Sequence, residues 1–211
     1  ALARGAASIE MYRGNFHIED APTDRVTPVE FDLAGDAVTL LCGDTPLAKL
    51  TIAGSVLFIT AFDPAHDRLW LRFHAEPGEA VWGGGEQMSY LMLNGRRFPR
   101  WTSEPGVGRD KSTELTRQMD EIGMAGGDYW NTNYPQPTFL TSRWLAVHLD
   151  ASTYSVLDFT DPAAHEVEVW GNEARFELFV ANGPQALVCA LSSRFGRQTP
   201  LPDWAIGGAI V

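Results

Sequence analysis

Hydrophobic and polar side chains alternate with a period of two along much of this chain. In residues 68–75 the positions 69, 71, 73 and 75 are apolar, while Trp70, Arg72 and His74 occupy the other face. The same alternation recurs in residues 165–169 and 175–180. Because successive side chains of a strand point to opposite sides, this period predicts β-strands with one buried face.

Other apolar segments of strand length are separated by turn-forming residues such as Gly35 and Pro64. The additional predicted strands cover residues 8–12, 16–19, 29–33, 37–42, 47–52, 56–62, 144–149 and 154–159. Many short strands at near-regular spacing predict an all-β fold, an antiparallel β-sandwich.

Three segments depart from this pattern. The stretch of about residues 83–137 is rich in Gly, Arg, Trp and Tyr and lacks alternation, and loops of that length are often functional. Pro184 follows Gly183, and apolar residues then recur at helical spacing, which predicts one short helix over residues 184–195. The apolar segment 204–211 predicts a strand of a sheet that is buried on both faces.

Composition narrows the class of protein. The chain has 211 residues, of which 45% are hydrophobic and 20% charged, as in ordinary globular domains. Its formal charge of −11 argues against binding to nucleic acid or to an anionic membrane surface. No apolar run approaches the ~20 residues that would span a bilayer.

The two cysteines, Cys42 and Cys189, lie far apart and form no metal or redox motif, so we expect neither a metal site nor a cofactor. Both lie in apolar runs and are interpreted as small buried hydrophobic residues. The absence of a disulfide framework favours a reducing compartment, and hence the cytoplasm.

The run Gly83-Gly84-Gly85-Glu86-Gln87 follows a predicted strand but matches no phosphate-binding pattern. It is either a tight turn with close backbone packing, or it places Glu86 and Gln87 at the mouth of a site. Acidic residues crowd the segment that follows. A pair of carboxylates there could do acid–base work on a sugar, whereas mixed charges on a loop are usually only solvated.

The same segment carries aromatic and amide side chains of the kind that line sugar sites. They are Trp101, Tyr129, Trp130 and Tyr134, with Asn131, Asn133 and Gln136. The alternative, favoured for most of the rings, is that they pack the segment onto the sandwich. Three histidines, His74, His148 and His165, fall in predicted strands and are interpreted as structural.

At these residues the chain resembles a known family. The ordered blocks are Met11-Tyr12-Arg13-Gly14, Gly85-Glu86-Gln87, Trp101-Thr102-Ser103-Glu104, Gly106-Val107-Gly108-Arg109, Tyr134-Pro135-Gln136-Pro137 and Leu201-Pro202-Asp203-Trp204. They resemble the N-terminal region of the sulfoquinovosidase branch of glycoside hydrolase family 31. The resemblance covers nearly the whole chain.

The resemblance implies a galactose-mutarotase-like sandwich that is followed by a catalytic (β/α)₈ barrel. On that plan residues 1–199 form the sandwich, with a long loop of about 83–137 facing the active site. Residues 200–211 form a linker and the first barrel strand. The family's two catalytic aspartates lie in the barrel, so the resemblance implies no catalytic residue in this chain. We therefore expect the fragment alone to be inactive.

The resemblance also implies four substrate-binding residues. Glu104 corresponds to an acidic residue that the loop offers to sugar hydroxyls, Glu86 and Gln87 lie beside the pocket, and Arg109 lies at the loop tip. For Glu86 and Arg109 the alternative is an ion pair that holds the sandwich to the barrel.

The whole protein is therefore expected to be a retaining α-glycosidase, acting on α-sulfoquinovosides through a covalent glycosyl-enzyme. Its expected partners are a carbohydrate substrate and the barrel of the same polypeptide, with no nucleic acid and no membrane. Two alternatives are an α-glucosidase of the same family and a free-standing carbohydrate-binding β-sandwich.

Overall fold

The computed structural model describes residues 1–12, 15–103, 112–122 and 127–207. Within those residues the chain forms two large antiparallel sheets, a separate hairpin and three helices. The prediction of an all-β antiparallel sandwich is therefore confirmed. No helix in these ranges is long and apolar enough to cross a bilayer.

The smaller sheet contains six strands. In chain order they are β1 (Leu2–Arg4), β4 (Thr23–Val26), β9 (Arg68–His74), β11 (Arg97–Arg100), β14 (Ser155–Asp158) and β15 (Ala164–Trp170). Their order across the sheet is β11-β14-β15-β9-β1-β4. Strands β2 (Ala7–Tyr12) and β3 (Asn15–Asp20) pair only with each other and form the hairpin.

The larger sheet contains eight strands. They are β5 (Glu30–Ala34), β6 (Ala37–Cys42), β7 (Thr45–Ala53), β8 (Val56–Ala61), β10 (Val81–Gly85), β12 (Pro135–Thr141), β13 (Leu145–Leu149) and β16 (Glu173–Val180). Across the sheet they run β10-β12-β13-β16-β8-β7-β6-β5.

The hydrophobic core lies between the two sheets. Phe73 of β9 contacts Phe139 of β12 and Phe176 of β16, with ring centroids 6.1 and 5.7 Å apart. Phe139 and Phe176 are fully buried, as the alternation predicts for the inner face of each strand. Burying such rings supplies a large share of the stability of the sandwich.

One end of the larger sheet extends beyond this core. Phe31 and Leu33 of the edge strand β5 alternate as a half-buried strand should, yet each remains 70% exposed. They follow the inner-face register through Leu40 and Val38 of β6. The smaller sheet has two strands fewer, so it leaves these side chains uncovered.

Helix α2 (Pro184–Phe195) forms over the predicted residues. Helix α1 (Glu114–Glu121) was not predicted, because the surrounding segment looked like one long loop. Its signal is Thr113, whose side-chain oxygen accepts the Thr116 amide at 3.4 Å as a helix cap, followed by strong helix formers. The segment 83–137 therefore contains strand β11 and helix α1 as well as loop.

The C-terminal segment also differs from its prediction. Residues 204–206 of the predicted terminal strand lie in helix α3 (Asp203–Ile206), whose Ala205 amide donates to the Pro202 carbonyl at 2.8 Å. Apolar content alone does not separate a strand from a helix, and an acidic residue in the first turn favours the helix. Residues 208–211 lie outside the described residues.

The cysteines are also not buried. Cys42 ends β6 at a turn, and Cys189 lies on the outward side of α2, so both thiols are exposed. An apolar neighbourhood in sequence therefore did not place them in the core.

Candidate functional site

The glycine run ends strand β10 against strand β12. Gly83, Gly84 and Gly85 have φ values of 112°, 76° and 86°, a region that favours glycine. A Cβ on Gly85 would lie 2.2 Å from the Tyr134 carbonyl oxygen, and one on Gly83 would lie 2.6 Å from that of Thr138. The run is thus a site of close backbone packing, which is one of the two predicted alternatives.

A buried arginine holds this packing in place. Arg100 of β11 is 7% exposed, and its guanidinium donates to the Gly84 carbonyl and, at 3.1 Å, to the Gln136 carbonyl. Burial lowers its pKa to about 10. Within the described ranges no carboxylate pairs with it. The cation therefore ties β11 to β10 and β12 through main-chain oxygens.

Beside the glycine run lies an open cleft of about 810 Å³, between the outer face of β10, β12 and β13 and helix α2. We call it the Glu86 cleft. The exposed side chain of Glu86 stands at it, and the Glu86 amide donates to the Tyr134 carbonyl at 3.0 Å. Tyr134 and Gln136 line the same cleft, and the Gln136 amide donates to the Tyr134 hydroxyl at 2.8 Å.

The far side of the cleft is formed by His148 and the end of α2. His148 Nδ1 lies 2.8 Å from the Thr138 hydroxyl, and its ring centroid is 4.6 Å from that of Phe195. Burial lowers the pKa of His148, so the ring is favoured in its neutral form. The cleft therefore offers a carboxylate, a phenol, an amide and a neutral imidazole, all of which can bind hydroxyl groups.

Helix α2 is fastened to the sheet by an ion-pair network. Arg194 donates two hydrogen bonds to the buried Glu177 carboxylate, at 2.6 and 2.7 Å, and Arg175 donates to it as well. The Arg194 hydrogen bonds and then those of Arg175 lower the pKa of Glu177 to about 2. Because Glu177 belongs to β16, this network fixes the helix that forms one wall of the cleft.

The structure separates the four predicted site residues. Glu86 lines the cleft, whereas the half-buried Gln87 donates from Nε2 to the Gly84 carbonyl at 2.9 Å and stabilises the turn. Glu104 and Arg109 lie outside the described residues. Ser103 is well anchored: its amide donates to the Thr132 carbonyl at 3.0 Å, and its hydroxyl accepts from Asn131 at 2.7 Å.

The aromatic residues also divide. Trp101 packs against Phe16 at 5.0 Å, and the Tyr129 hydroxyl donates to the Arg97 carbonyl at 2.8 Å. Trp130 packs against the core. These three rings follow the packing alternative, while Tyr134 is 60% exposed in the cleft.

Sequence reasoning missed Arg100 and His148 as parts of this site. Arg100 follows a proline in an alternating strand, and nothing in the pattern marks it as buried. His148 was interpreted as structural from its place in a strand, but its outward register brings it to the cleft. The alternating pattern indicates that His148 faces opposite to Val147, which was the available signal.

His165 departs from the expectation of a satisfied structural histidine. It is 2% exposed, and neither ring nitrogen has a hydrogen-bond partner within the described part of the chain. Its Nε2 lies 3.6 Å from the Glu79 carboxylate, and burial lowers the pKa of the ring. Among the described residues, no cluster of His, Cys, Asp and Glu could hold a metal ion.

Comparison with known proteins gives matches along the whole chain. It is 52% identical over 209 residues to the sulfoquinovosidase of Agrobacterium fabrum, and 39% identical over 218 residues to that of Escherichia coli. Each alignment covers 98% of this chain and 32% of the relative. No family model matches the chain.

Among solved structures, a GH31 family sulfoquinovosidase from E. rectale in complex with the aza-sugar inhibitor IFGSQ is similar, with a TM-score of 0.81 and 40% identity. The match covers 99% of this chain and 32% of that one. The resemblance to glycoside hydrolase family 31 is thereby confirmed. Within that family the similarity is to sulfoquinovosidases, and the chain spans about a third of their length.

Proposed function

We propose that this chain is the β-sandwich region of a retaining α-glycosidase that hydrolyses α-sulfoquinovosides through a covalent glycosyl-enzyme. The observation that carries the proposal is the identity of 52% and 39% to two sulfoquinovosidases over 98% of the chain. The catalytic carboxylates belong to a barrel outside these 211 residues. The fragment alone is therefore expected to be inactive.

The role of this region is to shape the rim of the sugar pocket and to support the barrel. The Glu86 cleft supports this role, because Phe195 and Gly196 line it, at the point where the chain leaves α2. Exposed apolar side chains follow directly, with Trp204 82% exposed. Such side chains typically mark a surface that another domain covers.

We also propose that residues 1–199 form the sandwich domain and that residues 200–211 lead into the barrel. Glu86 and Glu104 contact the substrate or order the rim, Arg109 lies at the tip of the loop, and Gln87 acts through the turn that it stabilises. A further part of the proposal is a cytoplasmic location, which the two exposed free thiols favour.

The decisive experiment is a comparison of kcat/KM on an aryl α-sulfoquinovoside and on the matching aryl α-glucoside, with the full-length protein. We expect the sulfonated substrate to be preferred by at least about tenfold, which corresponds to ~1.4 kcal/mol. Equal or greater activity on the glucoside would instead identify an α-glucosidase. Glycan binding by an inactive full-length protein would favour a carbohydrate-binding module.

A second experiment tests the rim. Glu86→Gln keeps the shape of the side chain and removes its charge, so a binding role predicts a lower kcat/KM with an unchanged melting temperature. Glu30→Gln is the matched control, because Glu30 is exposed on β5, at the opposite end of the larger sheet from β10. If both variants retain the activity of the unmodified protein, Glu86 has no part in the site.

A further inference from the structure

The outer face of the six-stranded sheet carries a second cavity, of about 730 Å³, which the β2–β3 hairpin covers on one side. We call it the hairpin cavity. Its floor includes Trp70, Tyr154 and Trp170. Trp70 lies on the polar face of an alternating strand, yet it is only 8% exposed. Large aromatic side chains on an outward sheet face, partly covered by a hairpin, form a built concavity of ligand size.

Ion pairs compensate most of the charge of the cavity floor. Glu168 accepts from Arg97 at 2.7 Å, and Glu166 accepts from Arg72 at 2.8 Å. Asp20 accepts from Arg68 at 2.6 Å. Each of these carboxylates lines the cavity with a guanidinium partner beside it. Glu19 and Asp158 also line the cavity, so five carboxylates face four guanidinium groups when Arg68 and Arg72 are counted, and the floor presents fixed donors and acceptors.

Several polar groups of the cavity are not engaged by the protein. Within the described residues, the Tyr154 hydroxyl, the Ser8 hydroxyl and Glu166 Oε1 make no hydrogen bond. The Arg25 guanidinium only stacks on Trp70, at 4.3 Å. The free groups thus include acceptors and donors in one concavity.

This combination fits a neutral sugar. Sugar hydroxyls both donate and accept hydrogen bonds, which matches the mixed donors and acceptors that are free in the cavity. A cavity of this volume falls within the range of ~300–1,000 Å³ that small ligands occupy. A cationic ligand is disfavoured because guanidinium groups already cover a face of Trp70 and, at 3.9 Å, of Trp170.

We propose that the hairpin cavity binds a neutral saccharide unit, at a site separate from the Glu86 cleft. The Tyr154 hydroxyl and Arg25 would donate to it, Glu166 would accept from it, and Ser8 would close the hairpin side. The proposal does not depend on which glycoside the whole protein hydrolyses.

The test is isothermal titration calorimetry of the full-length protein with glucose, galactose, maltose and cellobiose, each with saturating sulfoquinovose present. We expect at least one neutral sugar to bind saturably with a Kd of about 1 mM or below. If the protein proves not to hydrolyse sulfoquinovosides, the added sulfoquinovose no longer blocks the active site, and the cavity variants described next separate binding in the hairpin cavity from binding at the active site. Spermidine is the cationic comparison, and binding of spermidine alone would overturn the proposal.

Two variants locate the site. Ser8→Trp fills the cavity from the hairpin and should weaken binding at least about tenfold, while Ala7→Trp adds the same ring at the neighbouring position, which does not line the cavity. Tyr154→Phe keeps the ring and removes only the hydroxyl, so it tests the site even if Ser8→Trp fails to fold. Saccharide binding that is unchanged in both Ser8→Trp and Tyr154→Phe, or absent in the unmodified protein, contradicts the proposal.

Discussion

The Glu86 cleft and the hairpin cavity lie on opposite outer faces of the sandwich and are built from different contacts. Main-chain oxygens and glycines shape the cleft, with the buried Arg100 as the central donor. Side-chain ion pairs on regular strands shape the cavity, as between Arg97 and Glu168. A site built from backbone tolerates little change, whereas a site built on strand positions can lose one side chain and keep its walls.

The largest expected effect is that of Arg100→Met. The variant removes a buried charged donor, leaving the Gln136 carbonyl without this partner and the Gly84 carbonyl with only the Gln87 side chain, so we expect a loss of about 3 kcal/mol in the free energy of unfolding. Chemical denaturation of the full-length protein measures it. Arg143→Met removes an exposed arginine with one long contact, 3.6 Å from Glu76, and should cost less than about 0.5 kcal/mol. Similar losses in the two variants would show that Arg100 is not needed to hold β11 against β10 and β12.

Gly85→Ala should have the next largest effect. The new Cβ would meet the Tyr134 carbonyl oxygen at 2.2 Å, in a backbone conformation with φ of 86°. We expect a loss of about 2 kcal/mol and a displaced Glu86. Gly43→Ala shares a positive φ of 57° but meets nothing within 4 Å, and should cost about 1 kcal/mol. Equal melting temperatures for the two variants would show that β10 is not held tightly against β12.

Acid should loosen the α2 wall of the cleft. The pKa of Glu177 is about 2 in the folded chain, below the ordinary value of 4.5. The unfolded chain therefore takes up this proton first as the pH falls, and the stabilisation present above about pH 4.5 is lost towards about pH 2. We expect Glu177→Gln to reduce the free energy of unfolding at pH 7 by roughly 1–2 kcal/mol, allowing for the exposed guanidinium partners. The free energy of unfolding of the variant should also depend less on pH below about pH 4.5. Parallel pH–stability curves for the variant and the unmodified protein would exclude this network.

The smallest effect should come from the hairpin cavity. Arg97 is 46% exposed, so Arg97→Gln should cost only about 1 kcal/mol although it breaks the pair with Glu168. Thermal unfolding measured beside Arg100→Met gives the contrast directly. A loss of stability for Arg97→Gln that matches the loss for Arg100→Met would show that the Glu86 cleft and the hairpin cavity are equally sensitive to the removal of one arginine.

Strand positions were the most predictable part of the fold. Strand β6 forms over residues 37–42 as predicted, and β9 and β16 form over the two alternating segments, although Trp70 and Glu177 on their polar faces are buried. The pattern was reliable there because one face of each strand meets a core. The pattern failed at Trp204, which lies in a helix instead of a strand. Its side chain is 82% exposed, so packing against a core does not select between the two conformations.

The candidate site was less predictable. Glu86 was expected at a pocket, and it does line a cleft, but Gln87 beside it points back to the Gly84 carbonyl. The close packing of β12 against β10 determines that the Glu86 side chain lies at the cleft and that the Gln87 side chain lies against the turn. That contact joins residues about fifty positions apart, beyond the reach of a local pattern.

By itself, the sequence determined the all-β class, most strand positions and the resemblance to the sulfoquinovosidases, because periodicity and ordered motifs are local properties. Only the tertiary structure decided that Arg100 is buried, that Phe31 is exposed at an overhanging sheet end, and that Trp70 lies under a hairpin. Each of these depends on which distant strand or hairpin covers the side chain. Burial is a property of the pair of surfaces that meet, and a single segment does not contain it.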